Sequence, residues 1–159
     1  MRAVDARGLL LRNLCVATAL TGTITLSMSA LATEVKVTLS GDQEAPPVAT
    51  AASGSGELVF GTDKSVAGTI ATKGLSATAV RIEESSPGKR GVVVVSLVKG
   101  RDERWVVPAR TKLTDAQEAS LLAGDLYVNV QTDAHKNGEI RGRVIPSAST
   151  SLASGETRR

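Results

Sequence analysis

The chain has 159 residues and a mass of 16.4 kDa, the size of a single domain. Its formal charge of +3 sits at the ends, with Arg2, Arg7, Arg12 and Asp5 in residues 1–32 and Glu156, Arg158 and Arg159 after Pro146, so the 114 residues between are neutral and no nucleic-acid partner is expected. Three aromatics (Phe60, Trp105, Tyr127) are too few for a base-stacking platform or an aromatic-lined sugar cleft, and one cysteine (Cys15) with one histidine (His135) excludes a Cys/His zinc knuckle, a disulfide framework or a His-rich metal site within the chain.

Residues 1–13 hold the three arginines, and residues 14–32 are apolar and small, ending in Ala30-Leu31-Ala32. That order predicts an export signal over residues 1–32, cleaved before Thr33. Gly22 and six hydroxyl residues make the stretch a poor permanent span, so no stable membrane span is expected after cleavage. Arg12-Asn13-Leu14 before Cys15 argues against lipidation there. The expected locations are periplasmic or extracellular, and a 127-residue mature chain without cysteine must be held by its core alone.

From Glu34 to Ser40, Val35, Val37 and Leu39 alternate with polar residues, the pattern of a half-buried strand. Gly41–Gly54 reads as loop around Pro46-Pro47. Glu57–Phe60 and Val66–Thr72 read as strands joined by a turn at Gly61–Lys64. Thr78–Glu83 alternates with Val80 and Ile82 inward. Gly91–Val98 is a continuous β-branched run, expected to be buried on both faces or to lie near the centre of the core. One helix is predicted between Thr114, a cap whose capping box Gln117 completes, and Gly124, a left-handed stop, with Leu113, Leu121 and Leu122 available to pack on the sheet.

Leu126–Thr132 and Glu139–Ile145 alternate again, and Asn137-Gly138 between them is a hairpin signal. The tail over residues 147–159 lacks apolar period and is expected to be disordered. Seven or eight short strands and one short helix over residues 33–146 predict an all-β antiparallel sandwich or barrel.

Three stretches, Leu39–Ser53 (LSGDQEAPPVATAAS), Leu113–Gln131 (LTDAQEASLLAGDLYVNVQ) and Gly138–Arg143 (GEIRGR), resemble the CHRD (chordin-type) domain in order and spacing, over roughly residues 34–146. The resemblance implies an immunoglobulin-like antiparallel β-sandwich or barrel, distantly similar to the Cu/Zn superoxide dismutase sandwich, and implies no established activity. The family pattern usually carries His-x-His near residue 80 and a further histidine in the strand that here reads YVNVQT. This chain has Arg81-Ile82-Glu83 and Gln131 at those places. A fixed guanidinium charge cannot ligate a metal, so no metal or other cofactor is expected.

The candidate ligand-binding face is therefore Arg81, Glu83, Gln131 and His135. Arg81 and Glu83 share a strand face, read either as a solvated, salt-bridged surface or as a relic cleft for a small polar or anionic ligand. His135 reads as a solvated loop residue, and Glu139, Arg141 and Arg143 as a cross-strand charge ladder. Trp105 reads as a plug over one end of the core. No G-x-S-x-G elbow, P-loop, H-E-x-x-H or S-x-x-K motif is present, and no enzymatic activity is expected. The sequence thus points to an exported, non-catalytic binding or interaction module, its partner an unknown protein or small polar ligand. The alternatives are a metal-binding or dismutase-like domain with a degenerate site, and a self-associating structural envelope protein.

Overall fold

The computed structural model describes residues 32–86 and 91–146. The predicted signal peptide, apart from Ala32, and the predicted tail lie outside the described residues. Among the described residues nine strands form one antiparallel sheet: β1 (Ala32–Ser40), β2 (Ser53–Gly61), β3 (Val66–Lys73), β4 (Ala79–Glu84), β5 (Val92–Ser96), β6 (Val98–Lys99), β7 (Arg104–Val106), β8 (Leu126–Gln131) and β9 (Ile140–Arg143). Helix α1 spans Asp115–Ala123. The strand order is β5-β4-β8-β9-β1-β2-β3-β7-β6.

The two ends of that order are consecutive pieces of one extended segment. β5 pairs with β4, β6 pairs with β7, and only Leu97 lies between them, its N–H donating to Val80 O at 2.9 Å. Val92–Lys99 thus crosses from one side of the sheet to the other and nearly closes it into a barrel, which shortens the unpaired edges that an open sheet would expose. The expectation that Gly91–Val98 is buried on both faces is corrected by this placement. Val92 and Val93 are exposed, and Val95 and Leu97 face the core. β-branched residues suit any extended backbone, so a run of them reports strand propensity before it reports burial.

Alternation builds the core as expected from the sequence. Val35, Val37 and Leu39 of β1 meet Leu58 and Phe60 of β2, Ile70 of β3, Val80 and Ile82 of β4, and Leu126, Val128 and Val130 of β8, all buried. Each such side chain contributes about 1.5–3 kcal/mol when fully buried. Trp105 is buried in β7 opposite Ile70, in a three-residue strand that the charged run Arg101–Arg104 concealed. Its burial fits the expected plug.

Helix α1 starts and stops where its capping residues stand. Thr114 accepts from Gln117 N, Gln117 Oε1 accepts from Thr114 N at 2.9 Å, and Gly124 takes the left-handed conformation at φ +76°. Lys64, in the β2–β3 turn, pairs with Asp115 in the first turn of the helix. The Asn137-Gly138 pair does not make a two-residue hairpin. Residues 132–139 form a longer loop, closed by Thr132 N–H and Gly138 N–H both donating to His135 O.

The two helix leucines have opposite fates. Leu121 is 4 % exposed and belongs to the core, whereas Leu122 is 74 % exposed. Leu121→Ala is therefore expected to cost ~2–5 kcal/mol and Leu122→Ala within about 0.5 kcal/mol, read as shifts of the urea midpoint. Equal effects at the two positions would contradict this account of how α1 seals the barrel.

Candidate functional site

The site lies on the outer face of the sheet, where β4, β8 and β9 run side by side. Register places Glu83 opposite Tyr127, and Asn129 between Arg81 and Arg141. In an ordinary half-buried sheet this face would be wet. Here all six residues of β8 are buried, because the segment after β1 folds over them. Gly41–Gln43 makes one 3-10 turn, Val48 N–H donates to Gly41 O at 2.8 Å, and Gln43 Nε2 donates to Thr38 O at 3.1 Å. At the far end Thr50 Oγ1 donates to Glu139 Oε1 at 2.8 Å. Between these two anchors, Glu44 turns its carboxyl down onto the sheet, with its side chain 5 % exposed.

Five side chains meet there. Glu83, 2 % exposed, accepts on Oε2 from the Tyr127 hydroxyl at 2.9 Å and from Asn129 Nδ2 at 3.2 Å. Asn129 Nδ2 also donates to Asn137 O at 3.0 Å, tying the β8–β9 loop to the strand. The Arg141 guanidinium stacks 4.0 Å from the Tyr127 ring centre, a cation–π contact, and its Nε lies 3.3 Å from Glu44 Oε2. Burial holds the Glu44 carboxyl above its ordinary 4.5, against the lowering pull of Arg141 and with Glu83 adding to the rise. Burial and the hydrogen bond to Glu83 push the Tyr127 hydroxyl up to about 12, so it remains a donor at physiological pH.

Two acceptor oxygens in this cluster have no hydrogen bond, Glu44 Oε1 and Asn129 Oδ1. Both press on the same point, the place a Cβ would occupy on Gly138. Beside it a groove of about 450 Å³ opens between Glu44-Ala45-Pro46-Pro47-Val48 on one wall and residues 133–138, His135 among them, on the other. A larger concavity of about 670 Å³ lies on the outer face of β1, β2 and β3, walled by Lys36, Thr38, Ser55, Glu57 and Thr69. None of the buried atoms lacking a partner is there, so the smaller groove is the better candidate.

The four residues singled out from the sequence separate. Glu83 enters the buried cluster and is no part of a solvated face, and among the described residues no ion pair joins it to Arg81. Arg81 is half-buried on β4. Gln131 is buried opposite Ala79, four positions from Tyr127 and so about 13 Å along the strand from Glu83 at ~3.3 Å per residue. His135 is half-buried in the groove wall. Among the described residues no three His, Cys, Asp or Glu side chains are grouped to hold a metal ion.

The expected charge ladder along β9 is also corrected. Glu139 accepts from Thr50 and Thr132, Arg141 pairs with Glu44, and Arg143 donates to Gly124 O at 2.9 Å, each side chain tied to a different loop. Sequence reasoning passed over Glu44, Tyr127, Asn129 and Arg141 as site residues. The available signal was on β8, whose outward positions Tyr127, Asn129 and Gln131 are all uncharged, whereas β1 carries Glu34 and Lys36 on its outward face.

A nearly closed antiparallel β-barrel or sandwich with one capping helix and a loop-walled groove defines a β-sandwich module. The family model of the CHRD domain matches residues 35–144, and the chain belongs to that family. No match was found among the curated proteins or among the solved structures.

Gly138 tests the geometry of the cluster. It sits at φ +138°, where L side chains are strained, and a Cβ would displace Glu44 and Asn129 together. Gly138→Ala is expected to destabilise the protein by at least ~1–3 kcal/mol from backbone strain alone. A change below about 0.5 kcal/mol in chemical denaturation would show that the carboxyl and the amide do not converge there.

Proposed function

We propose that this protein is an exported, non-catalytic binding module that works outside the cytoplasm, its contacts made by the groove between residues 44–48 and residues 133–138. The observation that carries this reading is the groove itself. Its walls are two loops held in place by a buried polar cluster, so a concave surface is presented by a rigid scaffold. Pro46, Pro47 and Val48 offer an apolar wall, and Asp133, His135, Lys136 and Asn137 offer polar groups, a mixture suited to a small polar ligand or a loop of a protein partner.

Catalysis has little to work with. Glu83 spends its Oε2 on two structural donors, and the Tyr127 hydroxyl is one of them. A metal centre has less support than a binding groove, because the register separates Glu83 from Gln131 and Arg81 keeps its fixed charge between them. Self-association draws on the exposed Val92, Val93 and Val98 along the seam of the barrel. Export draws on the residues before Thr33. Cleavage after Ala32 would remove one pair, Ala32 with Gly61, from a nine-pair ladder and leave the rest intact. No described helix is long and apolar enough to cross a membrane.

The test is a comparison of captures. Tagged wild-type protein and an Ala134→Trp variant, in which an exposed groove residue is enlarged, are recovered from the exported fraction and used as bait on native envelope material. The intact mass is expected to be that of a chain beginning at Thr33. The variant is expected to melt within a few degrees of the wild type and to lose the captured partner. A retained residue 1–32 segment contradicts export, and identical captures contradict the groove.

A further inference from the structure

We propose that the export signal is removable only while the first residues of β1 are out of the sheet, so cleavage precedes closure of the barrel. The proposal rests on the export reading and adds to it an order of events. Its ground is the position of the expected scissile bond. β1 begins at Ala32, and the bond to be cut joins Ala32 to Thr33, the first two residues of the strand. Ala32 pairs with Gly61 and Thr33 with Phe60, at the head of a ladder that runs on through Val35 with Leu58. No spacer separates the scissile bond from the sheet.

Strand ends fray readily, but loss of the last pair alone does not free this bond. Thr33 is half-buried, in a cleft of about 140 Å³ whose walls include Phe60, Leu121, Leu122 and Pro146. Val35, two residues further on, is 1 % exposed and belongs to the core. A protease holds its substrate as an extended strand, through backbone N–H and C=O groups on either side of the bond. Around Thr33 that backbone is already engaged in the β1–β2 ladder. It cannot serve both partners at once. Seating Ala32 and Thr33 in a peptidase cleft therefore peels β1 from β2 as far as Val35, which brings a core side chain into water.

Hydrolysis breaks the bond between the Ala32 carbonyl carbon and the Thr33 nitrogen. Water gives its oxygen to the new Ala32 carboxylate and both protons to the new Thr33 ammonium. Every pair from Thr33 onward is then free to form, so the cut chain closes the same barrel. The signal itself fits this order. Arg2, Arg7 and Arg12 stand apart, so no paired-arginine signal directs the chain to cross a membrane already folded. A chain that crosses unfolded meets the peptidase before β1 pairs with β2.

The test is cleavage by purified signal peptidase in detergent, followed by intact mass. Three substrates are compared: the folded full chain, the same chain with a flexible glycine–serine linker inserted between Ala32 and Thr33, and a peptide of residues 1–40, which holds β1 without β2. The linker chain and the peptide are expected to be cut after Ala32 at least ~10-fold faster than the folded natural chain, because cleavage of a closed site follows the population of its open form. Equal rates for peptide and natural chain would overturn the order of events and leave the export reading standing. A linker chain that melts like the natural one and is cut as slowly would overturn it too. A peptide left uncut after Ala32 would remove the export reading and this proposal with it. Should the linker chain fail to fold, the peptide and the natural chain still decide.

Discussion

The approach of Glu44 to Arg141 holds the outer face of this barrel together. Arg141 is fixed from below by its stack on Tyr127, and Glu44 reaches it from a loop almost a hundred residues earlier in the chain. Because the two meet, residues 41–50 lie over β8 instead of in solvent, and β8 is buried on both faces. One face of that strand joins the apolar core through Leu126, Val128 and Val130, and the other joins a polar layer through Tyr127 and Asn129. The ion pair has no hydrogen-bond geometry at Nε, so what holds the loop is charge, stacking and exclusion of water acting together. Breaking a buried pair by removing one partner is costly because the other is left buried and uncompensated.

Most of the barrel was legible in the sequence because it depends on period-two alternation, a local property. Val35-Val37-Leu39 and Leu126-Val128-Val130 face the core where alternation puts them, and α1 begins at Thr114 and ends at Gly124 as its caps require. The two-faced burial expected of Gly91–Val98 is not found, because a β-branched run marks a strand without marking its neighbours, and closure of the barrel at this segment is a property of the whole sheet. The polar cluster was legible only through Glu83. Glu44 lies in a loop whose sequence, GDQEAPPV, has no periodicity to say which way a side chain points. Its partner Arg141 alternates with Glu139 and Arg143, a pattern that fits a solvated ladder equally well until the covering loop is in view.

Belonging to the CHRD family gives the fold and leaves the chemistry to the residues at hand. The resemblance implies that positions 81, 83 and 131 lie together at a single centre. The register of β4 and β8 instead gives each of the three a different environment, and Glu83 alone enters the polar layer. What this chain has at the corresponding face is a loop clamped by charge over a groove, with a glycine at the point where the clamp, the amide and the loop come together.

The central claim is that Glu44 and Arg141 act as one unit that holds the loop on the sheet. A double-mutant cycle in urea unfolding measures that directly, using Glu44→Ala, Arg141→Ala and the pair. Residues in contact within one network couple by about 0.5–3 kcal/mol, and the account predicts a coupling within that range. Additive losses, to within about 0.3 kcal/mol, would mean that the two side chains are stabilised independently and that the loop is held by its end anchors alone.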